Sequence, residues 1–105
     1  MNKSSILTLG SQVIGGSDAM DFSMELRTIV EGNIQYVIVD MSKVELINSS
    51  GLGMLVSGLS TMKKAGGTLK LACVSAKVKQ LLEMTHLNTV LNSYHTIQEA
   101  EESCK

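Results

Sequence analysis

The chain has 105 residues, of which 44% are apolar and 18% are charged, and its formal net charge is −1. This composition is typical of a globular domain rather than a disordered chain, and the length predicts a single domain over residues 1–105. The near-neutral charge argues against nucleic-acid binding, which needs a basic surface, and none is visible in the sequence. No basic run favours a membrane surface, and no apolar run approaches the roughly 20 residues that span a bilayer.

The first part of the chain predicts short strands followed by a helix. Residues 6–9 are typical of a strand, and residues 12–14 either continue it or begin a second short one. Residues 15–18 are predicted as a turn in which Ser17 caps the next helix. The helical spacing of apolar residues then runs to Gly32, which is placed to end the helix.

The central part contains the most apolar strand and the longest helix. Residues 36–39 are continuously apolar and β-branched, which is typical of a strand buried on both faces, and Asp40 closes it. Residues 41–48 are predicted as a loop, and a helix is predicted over Ser49–Lys64. The predicted buried stripe of that helix consists of Leu52, Leu55, Leu59 and Met62.

The last part of the chain again alternates predicted strands with predicted helices. A strand is predicted over residues 69–74, after which Ser75 caps a third helix. Residues 90–91 are interpreted as a short final strand, and residues 96–99 form a capping box that opens a polar C-terminal helix. Strands that alternate with helices form βαβ units. We therefore expect an α/β fold with about four strands in a mostly parallel sheet, packed with about four helices.

The start of the central helix has unusual chemistry. Two glycines, Gly51 and Gly53, lie in its first turns, and each costs about 1 kcal/mol relative to alanine. Such positions favour the close approach of a partner's backbone. A helix N-terminus also stabilises anions, including a phosphate on Ser49. The alternative is that Asn48, Ser49 and Ser50 only cap the helix, and that the glycines only permit tight packing on the sheet.

The same stretch resembles the signature of a known family. The residues that match it in order are Asp40, Ser42, Val44, Asn48, Ser49, Ser50, Gly51, Leu52 and Gly53. They resemble the STAS domain family, which includes the anti-sigma factor antagonists, and the resemblance extends over roughly residues 6–100. It implies a STAS-like fold. It also implies a partner-switching protein of the cytoplasm, which suits a chain whose two cysteines form no C-x-x-C pair.

In that family an anti-sigma factor with serine kinase activity phosphorylates the serine after the Asp or Asn. The resemblance implies Ser49 as the acceptor, with Ser50 as the second choice. Unphosphorylated antagonist binds the anti-sigma factor and releases the sigma factor. Phosphorylation ends that binding, and a serine phosphatase of the metal-dependent type restores it. The protein itself is then not an enzyme and needs no cofactor, since ATP belongs to the kinase.

The resemblance also implies a set of partner-binding residues: Ser17, Asp18, Asp40, Asn48, Ser50, Gly51 and Gly53. Asp40 and Asn48 would shape the site, and the two glycines would give the kinase room. The chain departs from the family in having Asn48 where many antagonists have Asp. Its turn of residues 15–18 also differs from the usual Gly-x-Leu/Ile-Asp pattern, and the extra edge strand that family members carry is not recognisable before Ile6.

Other functions have weaker support. No Cys, His and carboxylate residues have the spacing of a metal site, and neither a nucleophile elbow nor a phosphate-binding glycine loop is present. Two alternatives remain beside the phosphorylated switch. One is a constitutive STAS binding or scaffold subunit of a transport or signalling complex, and the other is a sensor of a small ligand near the same loop.

Overall fold

Residues 4–103 are described by a computed structural model, apart from the side chains of Ser17 and Asp18. The elements in chain order are β1 (Ser4–Thr8), β2 (Gln12–Val13), α1 (Ser17–Glu31), β3 (Tyr36–Asp40), β4 (Leu46–Ile47), α2 (Ser49–Lys64), β5 (Thr68–Ala72), α3 (Ala76–Met84), a 3-10 turn (Leu87–Thr89), β6 (Ser93–Tyr94) and α4 (Ile97–Glu102).

Two sheets organise these elements. The larger sheet has four parallel strands in the order β1-β3-β5-β6, and the smaller one pairs β2 with β4, also in parallel. The expected α/β class, with four helices and a four-stranded parallel sheet, is confirmed. Within residues 4–103, β1 forms one outer edge of the larger sheet and no further strand covers it.

The sheet buries both faces because its side chains alternate along each strand. Val37 and Val39 join the main core, which includes the α2 stripe that the sequence predicted. Ile38, between them, points to the other face and packs with Ala72 and with Ala100 of α4. Each fully buried aliphatic side chain of this kind stabilises the fold by roughly 1.5–3 kcal/mol. The core therefore fixes α2 on one face and α4 on the other.

Two of the three predicted caps are confirmed. The Ser75 hydroxyl accepts a hydrogen bond from Val78 N at 3.2 Å, and the Thr96 hydroxyl accepts one from Glu99 N at 3.0 Å. The prediction that Ser17 caps α1 is wrong, because Ser17 is the first helical residue and Gly16 occupies the cap position without a side-chain hydrogen bond. Gly16 has φ 69°, a left-handed conformation that glycine adopts without steric cost.

Three further details differ from the sequence prediction. Residues 90–91 are not a strand, since Val90 N donates to Leu87 O at 3.0 Å and closes a 3-10 turn, and the last strand is Ser93–Tyr94. The predicted loop of residues 41–48 contains β4. The strand predicted over residues 69–74 spans Thr68–Ala72, and Cys73 follows it with φ 58°.

No helix within residues 4–103 is long and apolar enough to cross a membrane.

Candidate functional site

The N-terminus of α2 is the centre of the candidate site. Its cap is Asn48, whose side-chain Oδ1 accepts a hydrogen bond from Gly51 N at 2.9 Å while its carbonyl accepts one from Leu52 N at 2.9 Å. Ser49 and Ser50 are exposed, and neither hydroxyl is hydrogen-bonded to another residue in the described part of the chain. Capping therefore accounts for Asn48 but not for the two hydroxyl groups that follow it.

The small sheet holds this helix end in place. Register pairs Val13 with Ile47, and Asn48 N donates to Val13 O at 3.3 Å. Glu45 N and Leu46 N both donate to Ser11 O, at 2.8 and 3.0 Å. The loop before α2 is thus tied to β2 along its length. The sequence offered residues 12–14 as a second short strand, but it did not predict β4 or its pairing with β2, because a two-residue strand is too short to show a recognisable alternation.

The two glycines of the α2 N-terminus have different surroundings. Gly51 is buried, and a Cβ added there would collide with the Val13 carbonyl. Gly53 is exposed, and a Cβ added there would meet nothing within 4 Å. Close packing on β2 thus explains Gly51 without a partner. It does not explain Gly53, which costs helix stability on an open surface.

The turn before α1 packs against the same helix end. Gly15 has φ 89°, and a Cβ on it would lie 2.9 Å from the Ser50 Cβ. The backbone of Ser17 and Asp18 follows at the start of α1. The turn at Gly15 and Gly16, which leads into α1, therefore lies beside the start of α2. Contacts of the Ser17 and Asp18 side chains with a partner stay a prediction.

Asp40 lies at the end of β3 and organises the chain there rather than touching Ser49. Its Oδ1 accepts a hydrogen bond from Ser42 N at 3.0 Å. That hydrogen bond is the main cause that holds the pKa of Asp40 below its usual value, and the Ser42 hydroxyl, the Cys73 thiol and the Lys43 charge act in the same direction. Burial, followed by the Asp40 charge, raises the pKa of the Cys73 thiol. Asp40 therefore holds the turn that leads towards β4, and its contribution to the site at Ser49 stays a prediction.

The charge around the α2 N-terminus favours an anion. No acidic residue lies in the first turn of α2, while Lys63 and Lys64 lie in its last turn. The partial positive charge of the N-terminal N–H groups is therefore not neutralised by a carboxylate of the helix's own first turn. No group of three or more His, Cys, Asp or Glu residues within residues 4–103 could hold a metal ion.

An exposed apolar groove lies next to β4, and sequence reasoning assigned it no role. It has a volume of about 320 Å³ between β4 and α3. Its lining includes Leu46, which is 48% exposed, and Met84, which is 70% exposed. The sequence signal was available in Leu46 and Met84, but without the fold these residues could not be placed side by side.

The chain is similar to known proteins in sequence and in fold. The family model described as "STAS domain" matches residues 3–100. A Thermotoga maritima protein named "Putative anti-sigma factor antagonist" is 33% identical over 69 residues, which are 66% of this chain and 61% of that protein. The matched stretch thus spans less than two thirds of that relative's length.

Two solved structures have closely similar folds. The crystal structure of a Thermotoga maritima protein with the same description has a TM-score of 0.82 and 25% identity, covering 96% of this chain and 86% of that one. A sulfate transporter family protein from Wolinella succinogenes also has a TM-score of 0.82, with 21% identity, covering 92% of this chain and 80% of that one. The second likeness shows the fold alone.

Proposed function

We propose, from the premise that the chain belongs to the STAS domain family, that it is an anti-sigma factor antagonist switched by phosphorylation of Ser49. Its unphosphorylated form binds an anti-sigma factor with serine kinase activity and so frees the sigma factor. Phosphorylation of Ser49 ends that binding, and a metal-dependent serine phosphatase restores it. The protein performs no chemistry in this cycle, which takes place in the cytoplasm.

The observation that carries the proposal is the state of Ser49. The residue is exposed at the first position of α2, and its hydroxyl is not engaged by the described part of the chain because Asn48 serves as the cap. A phosphate added there would carry about −1.5 to −2 charges at the positive end of a helix. The modification is therefore compatible with the fold, and it changes the charge of the surface without requiring the helix to unfold.

The docking surface that we assign to the kinase is the exposed side of the α2 N-terminus. Gly53 leaves that side open, so the partner's backbone can approach the helix closely. Ser50 lies next to the acceptor, and the turn of residues 15–18 borders it through the contact between Gly15 and Ser50. Asn48 keeps the cap that Asp provides in many antagonists, but it carries no charge.

The experiment is intact-mass spectrometry after incubation with the cognate kinase and Mg-ATP. The chain is compared with Ser49→Ala and with the matched neighbour Ser50→Ala. One added phosphate that is lost only in Ser49→Ala supports the proposal. Loss only in Ser50→Ala moves the acceptor by one residue. If wild-type protein gains no phosphate from a kinase that is active on a control substrate, a constitutive STAS binding subunit becomes the better account.

A further inference from the structure

The outer edge of β1 offers a row of backbone groups for pairing. Leu9 N donates to Asp40 O at 3.1 Å, so the backbone groups of Leu9 point towards β3. Because N–H and C=O directions alternate along a strand, those of Ser4, Ile6 and Thr8 point away from β3. Within residues 4–103 no strand pairs with this side of β1.

This edge lacks the usual protection. Natural edge strands carry prolines, charged side chains or bulges that prevent pairing with another chain. The β1 strand is Ser-Ser-Ile-Leu-Thr, without charge or proline, and it pairs with β3 in an unbroken register from Ser4↔Tyr36 to Thr8↔Asp40. Ile6, at its middle, is 48% exposed. Within residues 4–103 the outer side of β1 is therefore unpaired along its length.

We propose that two copies of the chain pair through β1 in antiparallel orientation, with the two-fold axis between Ile6 and Ile6 of the second copy. In this register Ser4 faces Thr8 of the second copy, and Thr8 faces its Ser4. The outward-pointing residues then meet each other, and each pair exchanges both N–H···O hydrogen bonds. A shift by one residue would instead pair outward groups with inward ones.

A second copy fits this edge because the strand is complementary to itself. Ser and Thr are favourable cross-strand neighbours, and the two Ile6 side chains cover each other on one face. No charge on β1 meets a like charge, and a two-fold interface needs just this self-complementarity.

The association is independent of the phosphorylation site. The proposed interface is formed by the residues of β1, and Ser49, the first residue of α2, is not among them. Ser49→Ala should leave the association unchanged, so that failure of the dimer and failure of the phosphorylation switch are separate results.

The first test is sedimentation velocity over a wide range of protein concentrations. Wild type is expected to pass from monomer to dimer. Ile6→Lys places two like charges opposite each other at the axis and should weaken dimerisation by more than about tenfold. Leu46→Lys is the matched control, since Leu46 is also 48% exposed but lies in the smaller sheet. A wild type that stays monomeric at all concentrations, whether or not another strand covers the edge, would overturn the proposal. Equal dimerisation of Ile6→Lys and wild type would overturn it too.

The second test fixes the register and does not depend on the stability of Ile6→Lys. In a background with Cys73→Ser and Cys104→Ser, Ile6→Cys should form a disulfide-linked dimer on mild oxidation. Directly opposed residues in such a pair have Cα atoms about 5.5 Å apart, within the range of a disulfide. Thr8→Cys should not link to itself, because Thr8 faces Ser4. Linkage of Thr8→Cys but not of Ile6→Cys would contradict the register.

Discussion

The backbone of Gly51 lies directly against the carbonyl of Val13, so that α2 and β2 touch without a side chain between them. This contact sets the position of the helix N-terminus and therefore of Ser49, two residues earlier. Asn48 N also donates to Val13 O, at 3.3 Å, so one residue of β2 supports both the cap and the first turn of the helix.

Gly51→Ala should destabilise the fold by about 1–3 kcal/mol, because the added methyl group collides with backbone that cannot move aside easily. Gly53→Ala is the matched control in the same helix, two positions on. Its methyl group meets open space, so we expect stabilisation by up to about 1 kcal/mol. Urea unfolding followed by circular dichroism measures both changes. Equal effects of the two substitutions would contradict the packing argument.

Gly53→Ala also separates stability from recognition. If Gly53 is kept to let the kinase approach, the alanine variant should be more stable yet should be phosphorylated more slowly at Ser49. The measurement is the initial rate of phosphate incorporation at matched protein concentration, with Ser57→Ala as a control for a small change on the same exposed side of α2. An unchanged rate would remove Gly53 from the docking surface.

Asn48→Ala should lower the free energy of unfolding by about 1 kcal/mol, since the hydrogen bond from Gly51 N to Oδ1 is lost. Asn48→Asp keeps the acceptor and adds a negative charge at the helix N-terminus. It should be as stable as wild type or more stable by about 0.3–1 kcal/mol at neutral pH and low salt. Thermal unfolding at low and high salt tests this pair. A destabilised Asn48→Asp protein would show that the cap works differently.

Asp40 should make stability depend on pH in the acid range. Its folded-state pKa is lowered, mainly by the Ser42 N–H, so its contribution is present above the unfolded-state pKa of about 3.9 and is lost as pH falls through the folded value. Asp40→Asn removes this carboxylate. The stability difference between wild type and the variant should therefore shrink as pH falls below about 4. A difference that stays constant from pH 7 to pH 3 would contradict the assigned cause.

Sequence periodicity identified the elements with enough side chains to show a repeat. The bounds of α2 were predicted as observed, because its sixteen residues display a clear apolar stripe and Gly66, which has φ 87°, follows the cap at Ala65. The strand over residues 36–39 was equally plain. The wrong predictions concern segments that are too short to show a repeat. The strands β4 and β6 have two residues each. Residues 90–91 are apolar because Leu91 fills the core from a turn.

The candidate site was predicted in part. Ser49, Ser50 and Asn48 do meet at the helix start, and the turn of residues 15–18 lies beside them. The sequence could not show that Asn48 alone serves as the cap, nor that Gly51 is buried while Gly53 is open. Those distinctions depend on β2, which is distant in the chain from α2 and meets it only in the fold.

The most direct test of the account is the affinity of the purified chain for its cognate anti-sigma kinase, measured by titration calorimetry before and after stoichiometric phosphorylation of Ser49. We predict that the phosphorylated form binds at least about tenfold more weakly, a change of about 1.4 kcal/mol, and that treatment with a serine phosphatase restores the original affinity. Equal affinities of the two forms would contradict the account, because phosphorylation of Ser49 would then not control binding.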